Sequence, residues 1–157
     1  MDDLLRALED ERLIKRVYLR YCDVIDAKDY DALSEVFTAD CVGDYRNTNG
    51  IVQEGLAPLV EYLHDVMGRG SCCGPTHHNV LNFRIDPDGD TASGHVHFYA
   101  VHQGARELTG KMYTCWGQYD DELVRTPEGW RVSRRMYTNY VEEGDKGIVN
   151  GNGGGGS

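Results

Sequence analysis

The sequence predicts an α+β domain in which N-terminal helices pack against a mostly antiparallel sheet. Two observations carry this prediction. Apolar residues recur at helical spacing in the first half of the chain, and they alternate with polar residues in the second half. The length of 157 residues fits one ordinary domain that can bury a substantial core.

Three helices are predicted before the long strands begin. The first runs from Asp2 to Asp23, because its apolar residues follow a period of 3.6. A short second helix spans Tyr30 to Phe37, and Cys41 to Tyr45 is predicted as a short strand. The third helix runs from Leu56 to Met67, with Pro58 in its first turn, where proline is tolerated.

Four long strands follow, separated by residues that favour turns. The first two, His77 to Ile85 and Thr91 to Gln103, flank a segment of alternating aspartate, proline and glycine with strong hairpin chemistry. The other two run from Leu108 to Glu122 and from Trp130 to Val141, with a second proline- and glycine-containing turn between them. Consecutive strands joined by short turns predict an antiparallel meander.

The composition argues against several classes of partner. The chain has 26 acidic and 16 basic residues and a formal net charge of -10. Such a surface repels phosphate backbones and anionic lipids, so we expect neither a nucleic acid nor a membrane as partner. The N-terminus lacks the basic start and apolar stretch of a signal peptide, and no apolar run approaches the length of a membrane span. We therefore expect a cytoplasmic protein.

The cysteines and the C-terminal residues bear on compartment and domain organisation. Five cysteines, two of them adjacent, indicate free thiols in a reducing compartment. Residues 144–157 are rich in glycine and end in a run typical of an engineered linker. We assign them to a flexible tail and predict that residues 1–143 form the folded domain.

Asp26 and His102 are the first candidates for chemistry. Asp26 follows the apolar face of the first helix, which directs its carboxylate towards the core; the plainer interpretation is a solvated turn residue. Strand alternation places His102 on one face with small and apolar residues, including Val96 and Phe98. A lone histidine on such a face is usually a hydrogen-bonded core residue, unless a carboxylate reaches it.

The orientation of three further candidates is left open by the pattern. His77 and His78 begin a strand, so their side chains point to opposite faces and only one can enter a pocket. The Tyr45 hydroxyl could polarise a carbonyl, although a half-buried aromatic with a solvated tip is the simpler interpretation. Cys72 and Cys73 beside these histidines match a zinc site in composition only: adjacent cysteines lack the usual spacing, so no metal site is predicted.

Several stretches resemble the SnoaL-like family, which has the nuclear transport factor 2-like fold. The stretches that carry the resemblance are Tyr21 to Leu33, Val42 to Tyr45, Thr76 to Val80, Asp88 to Ala92 and Gly129 to Val132. Together they extend over nearly the whole domain. The resemblance implies a cone-shaped α+β barrel, with the helices packed into a strongly curved, mostly antiparallel sheet around an internal pocket.

Within this family the residues are most similar to the pattern of scytalone dehydratases. The resemblance assigns the catalytic aspartate to Asp26, the water-holding tyrosine to Tyr45 and the two catalytic histidines to His78 and His102. It thereby selects His78 over His77. Bile-acid dehydratases share the aspartate and the first histidine. We expect Asp26 to hydrogen-bond His102, in the base-and-orienter arrangement of known dyads.

Two departures from the scytalone dehydratase pattern bear on the substrate. A second pocket tyrosine of that pattern falls on Ile25, and a pocket asparagine falls near Cys115. The substrate carbonyl is therefore expected to be held differently, and scytalone itself is not the expected substrate. The residues expected to contact substrate are Val17, Tyr21, Val80, Phe98, Met112, Cys115 and Trp116.

The resemblance implies a cofactor-independent dehydratase for a small hydrophobic, cyclic or polyketide-like hydroxy-carbonyl compound. Neither a cofactor nor a metal is required for this acid–base chemistry. Two alternatives stay open: a ketosteroid isomerase-like isomerase or polyketide cyclase with the same groups, and a cone that binds a ligand without turnover. Similar proteins associate through the exposed face of the sheet, so a homodimer or homotrimer is expected.

Overall fold

The computed structural model describes residues 1–150 of the chain. Helices and strands both match the predicted α+β class. The α-helices within these residues are α1 (Asp2–Ala27), α2 (Arg46–Asn49) and α3 (Leu56–Met67). Short 3-10 helices occupy Tyr30–Glu35, Arg106–Leu108 and Lys146–Val149.

One mixed sheet of six strands forms the second layer. The strands are β1 (Phe37–Tyr45), β2 (Ile51–Glu54), β3 (Cys73–Asp88), β4 (Thr91–Gly104), β5 (Met112–Thr126) and β6 (Gly129–Gly144). Their order across the sheet is β2-β1-β6-β5-β4-β3. Strands β3 to β6 form an antiparallel meander, whereas β1 pairs in parallel with β6. Register shifts in β3 and β5 interrupt the ladders, and such irregularities bend a sheet.

The core lies between α1 and the inner face of the sheet. Ile14, Tyr18 and Ile25 of α1 are fully buried at 0% exposure, and α1 contacts β3 and β6. Burial of each large apolar side chain contributes about 1.5–3 kcal/mol. On β4 the predicted alternation is confirmed, because Val96 and Phe98 are buried while Tyr99 is exposed. The inner face of β4 therefore forms one wall of the core.

The helical half matches prediction in kind but not at every boundary. The bounds of α3 agree with the prediction. Helix α1 extends beyond the predicted end at Asp23 to Ala27, because its buried stripe continues through Ile25. The second predicted helix is a 3-10 helix, Tyr30–Glu35, and Phe37 opens β1 instead of closing that helix.

The predicted antiparallel meander is confirmed, but the sheet contains two more strands. Only the end of β1, Cys41 to Tyr45, was predicted as a strand, and β2 was not predicted. β2 has four mostly exposed residues and no clear alternation, so it lacks a local signal. The parallel pairing of β1 with β6 joins distant parts of the chain, and no local pattern encodes it.

The chain continues as part of the folded domain beyond residue 143. Ile148 is fully buried at 0% exposure, and the Asp145 side chain caps the last 3-10 helix by accepting from the Gly147 backbone N–H at 3.0 Å. This helix contacts α3, β4 and β5. The structure thus places Ile148 in the core and Val149 against it, although the glycine-rich composition of residues 144–157 assigned both to the tail. The rest of the predicted tail lies outside the described residues.

Two further findings bear on the sequence predictions. Among residues 1–150, no helix is long and apolar enough to cross a membrane. All five cysteines carry free thiols. The cytoplasmic location and the homodimer or homotrimer stay predictions.

Candidate active site

A cavity of about 110 Å³ lies between the helices and the inner face of the sheet. Its walls are mainly aromatic, while polar residues of α2 and of the last 3-10 helix stand at its border. An engineered apolar cavity of about 150 Å³ binds benzene, so this space suits a group the size of one small ring. The aromatic side chains that line it are Tyr21, Tyr45, Tyr62, Phe98, Tyr113, Tyr119 and Tyr137.

Asp26 and His78 form a hydrogen-bonded pair beside this cavity. The distance from His78 Nδ1 to Asp26 Oδ1 is 2.7 Å. The same carboxylate accepts from the His78 backbone N–H at 3.0 Å and from the Thr76 hydroxyl at 2.8 Å. Helix α1 delivers the aspartate in its last turn, and β3 delivers the three donors near its start.

The hydrogen bonds determine the charge of Asp26 and the tautomer of His78. Partial burial pushes the pKa of Asp26 upwards, but the hydrogen bonds from His78 and Thr76 outweigh burial and leave it below its usual value. The carboxylate is therefore ionised at neutral pH and can only accept. His78 Nδ1 must then carry a proton, which leaves Nε2 as the nitrogen available for chemistry.

His102 stands beside His78 on the neighbouring strand. The two ring centroids are 5.3 Å apart and the rings are nearly perpendicular, at 87°. Burial, followed by the proximity of His78, lowers the pKa of His102 to about 4, so this ring is neutral at neutral pH. His102 Nδ1 lies 3.3 Å from the Tyr113 carbonyl oxygen, which accepts a hydrogen bond from the Nδ1–H group. His102 Nε2 is then an acceptor.

Tyr45 also lines the cavity, as the last residue of β1. Its ring packs against Tyr62 and Tyr137, with centroid distances of 5.7 and 5.4 Å. Burial raises the pKa of Tyr45 well above its usual value, so its hydroxyl stays protonated. A protonated phenol on the cavity wall can donate a hydrogen bond to a ligand.

Three of the four residues expected to carry chemistry, Tyr45, His78 and His102, line one cavity, and Asp26 hydrogen-bonds His78 beside it; the pairing differs from the expected one. Asp26 hydrogen-bonds His78, and the expected bond from Asp26 to His102 is wrong. The physical reason lies in the order of the strands: His78 sits on β3, which contacts α1, whereas His102 lies one strand further away on β4. The side chain of His77 is 74% exposed and that of His78 is 7% exposed, so His78 is the inward one, as the resemblance implied.

The residues expected to contact substrate divide into two groups. Tyr21, Phe98 and Cys115 line the cavity, whereas Val17, Val80, Met112 and Trp116 do not. Met112 and Trp116 lie on β5, where successive side chains face opposite sides of the sheet. Met112 is 47% exposed, and Trp116 packs on Tyr99 at a centroid distance of 5.9 Å on the outer face. Val17 and Val80 pack within or against the core cluster instead.

Sequence reasoning missed a buried ion pair behind the cavity wall. Arg135 is 1% exposed and its guanidinium donates to the Asp121 carboxylate, with a shortest distance of 2.7 Å. Its Cζ lies 4.0 Å from the ring centroid of Tyr119 and 4.3 Å from that of Tyr21, both of which line the cavity. A signal was present, because alternation between Tyr119 and Leu123 directs Asp121 inward, and a buried carboxylate needs a cation.

The alternative cluster of cysteines and histidines does not converge. Cys72 Sγ lies 3.1 Å from a Glu107 carboxylate oxygen, while Cys73 is buried near Lys28. Within the described part of the chain, no group of three or more histidine, cysteine, aspartate or glutamate side chains is arranged to hold a metal ion.

Known proteins resemble this chain both in sequence and in structure. Residues 6–136 match the SnoaL-like domain. The chain belongs to the SnoaL-like family. An uncharacterized protein of Mycobacterium tuberculosis is 36% identical over 140 residues, which cover 87% of this chain and 89% of the relative.

Solved structures show the same fold. A protein named as a candidate scytalone dehydratase, from Novosphingobium aromaticivorans, has a TM-score of 0.78 at 24% identity and covers 91% of both chains. A nuclear transport factor 2-like superfamily protein of Salmonella enterica has a TM-score of 0.72 at 16% identity, over 85% of this chain and 92% of that one. The predicted family and cone fold are thus confirmed. Likenesses at this level of identity establish fold, not activity.

Proposed function

We propose that this SnoaL-like chain is a cofactor-independent lyase that removes water from a small, hydrophobic, cyclic β-hydroxy carbonyl compound. The observation that carries the proposal is the 2.7 Å Asp26–His78 pair beside an aromatic cavity that also holds His102 and Tyr45. The name of the Novosphingobium structure adds support, since it refers to a dehydratase.

His78 is the group that moves the proton in this proposal. Its Nε2 accepts the proton on the carbon next to the substrate carbonyl, and Asp26 stabilises the imidazolium that forms. The electron pair of that C–H bond becomes part of an enolate. The enolate then expels the β-hydroxyl, which takes the proton back from His78 and leaves as water. One C–H bond and one C–O bond break, and one C=C bond forms.

Tyr45 and His102 have complementary roles in this scheme. The protonated Tyr45 hydroxyl donates a hydrogen bond to the substrate carbonyl and stabilises the charge that develops on its oxygen. His102 Nε2, which is unprotonated, accepts a hydrogen bond from the substrate hydroxyl and directs it towards His78. Aromatic walls exclude water, which strengthens each of these electrostatic interactions.

Dehydration of 3-hydroxy-1-tetralone and 3-hydroxycyclohexanone is the direct test. We expect the full chain to release the conjugated product, followed by ultraviolet absorbance and by mass spectrometry. His78→Gln should lower kcat/KM by about 100-fold or more, because it removes the base. His97→Gln is the matched control: it changes a histidine of β4 that hydrogen-bonds Asn82 away from the cavity, and it should leave kcat/KM within about twofold.

Other outcomes separate the alternatives. Exchange of the α-proton in heavy water without loss of the hydroxyl would favour an isomerase or cyclase that uses the same base. Ligand binding without exchange or elimination would favour a binding cone. Equal activity of His78→Gln and the unchanged chain would contradict the assignment of the base.

A further inference from the structure

Lys28 ends α1 in a backbone conformation that lysine rarely adopts. Its φ of 56° and ψ of 34° are left-handed, and glycine or asparagine is usual at this position of a helix. The Lys28 backbone N–H still donates to the Ile25 carbonyl at 3.0 Å, so the cap itself is well formed. A glycine would make the same cap without steric cost, so the cap does not account for a lysine at this position.

The Lys28 side chain connects three elements that are distant in sequence. Its Nζ donates to the Cys73 carbonyl at 2.8 Å and to the Met67 carbonyl. Met67 is the last residue of α3, and Cys73 is the first residue of β3. Burial, which is opposed by the contact with Cys73, lowers the pKa of this half-buried ammonium. Charged donors make strong hydrogen bonds to carbonyl oxygens in such surroundings.

Two of the three elements that Lys28 connects, α1 and β3, carry a member of the catalytic pair. Asp26 lies two residues before it in the last turn of α1, and His78 lies five residues after Cys73 along β3. The pairing of β3 with β4 shifts register between Cys73 and Thr76, so the strand ladder alone does not hold the first residues of β3 in line. Lys28 contacts the strand at this irregular point. It does not line the cavity itself.

We propose that Lys28 is a positioning residue: its side chain holds the first residues of β3 against the end of α1, so that the Asp26 carboxylate meets His78. The inference rests on the proposed function only where turnover is measured. The geometry of the pair can be measured without any substrate.

Proton NMR of the full chain measures that geometry directly. A proton shared between His78 Nδ1 and a carboxylate gives a strongly downfield signal, which is assigned by its loss in His78→Gln. We expect Lys28→Met and Lys28→Gly to remove or broaden this signal. Lys28→Arg keeps a charged donor and should restore it in part. Lys15→Met is the matched control, since Lys15 pairs with Glu11 on the same helix, and it should leave the signal unchanged.

The glycine variant separates the side chain from the backbone. Glycine adopts the left-handed conformation without strain, so we expect Lys28→Gly to stay folded. Thermal unfolding of this variant checks that expectation. A folded Lys28→Gly protein with an unchanged His78 signal would overturn the proposal. If Lys28→Met is too unstable to measure, Lys28→Gly and Lys28→Arg supply the comparison.

Turnover adds a second readout that distinguishes this proposal from the proposed function. With an active substrate, Lys28→Met should lower kcat about 10- to 100-fold with little change in KM, because a misplaced base slows the reaction without altering the cavity. A Lys28-dependent NMR signal in a chain with no activity would support the positioning role and contradict the lyase. A signal that does not depend on Lys28 in an active enzyme would support the lyase and contradict the positioning role.

Discussion

The sheet has a histidine–aspartate pair on each face, and the two pairs have nearly equal hydrogen bonds. On the inner face, Asp26 and His78 are 2.7 Å apart; on the outer face, His95 and Asp120 are 2.6 Å apart. The side chains of the outer pair are each 31% exposed, whereas in the inner pair Asp26 is 24% exposed and His78 is 7% exposed. Water competes for the outer pair and screens it. A short hydrogen bond alone therefore does not identify a functional site; the burial of His78 beside the cavity distinguishes the inner pair.

The neighbours of the two pairs differ as much as their exposure. The inner pair faces the neutral His102 and the aromatic cavity wall. The outer pair shares its carboxylate with Gln118, at 2.6 Å, and has His97 at a centroid distance of 5.6 Å. The inner pair thus has beside it a cavity in which a small ring can meet the base.

The largest expected effect comes from exchanging one carboxylate for an amide on each face. Asp26→Asn should lower the dehydration kcat/KM by about 1,000-fold, because the amide no longer stabilises the His78 imidazolium. Asp120→Asn makes the same chemical change on the outer face and should leave kcat/KM within about threefold. Steady-state kinetics of the two variants check the comparison. Similar losses in both would remove the distinction between the faces.

A second comparison concerns charge pairs at different depths. Arg135→Met should lower the free energy of unfolding by about 3–5 kcal/mol, because it leaves the Asp121 carboxylate buried without its cation. Arg134→Met should cost about 1 kcal/mol or less, since Arg134 is 40% exposed and its partner Asp44 keeps Arg46. Urea unfolding measures both. A small effect of Arg135→Met would mean that Asp121 finds another partner or a proton.

The smallest expected effect is the pH dependence that His102 gives to stability. Its pKa is about 4 in the folded chain and about 6.5 in the unfolded chain. The contribution to stability is fully present above pH 6.5 and declines as the pH falls towards 4, because the unfolded chain then binds a proton at His102 that the folded chain does not bind. The loss is at most about 1.4 kcal/mol per pH unit. His102→Gln should flatten this part of the profile, measured by urea unfolding at several pH values. An unchanged slope would show that folding does not lower the pKa of His102.

Much of the fold was predictable because its signals are local. Helix α3 and the alternation on β4 each follow from a periodic pattern of apolar residues. The short β2 and the parallel pairing of β1 with β6 were not predictable, since the first has almost no pattern and the second depends on contact between distant segments. The buried Ile148 was not predicted because two adjacent apolar residues, Ile148 and Val149, in a glycine-rich segment give little signal.

For the site, the sequence by itself determined which residue types were available, and the family resemblance selected Asp26, Tyr45, His78 and His102. Only the tertiary structure decided which of them meet. The end of α1 packs against β3, so Asp26 reaches His78, and His102 on the next strand is left neutral beside that pair. A hydrogen bond requires that its donor and acceptor be placed to within a few tenths of an ångström. Here they come from segments far apart in the chain, and no local pattern contains that information.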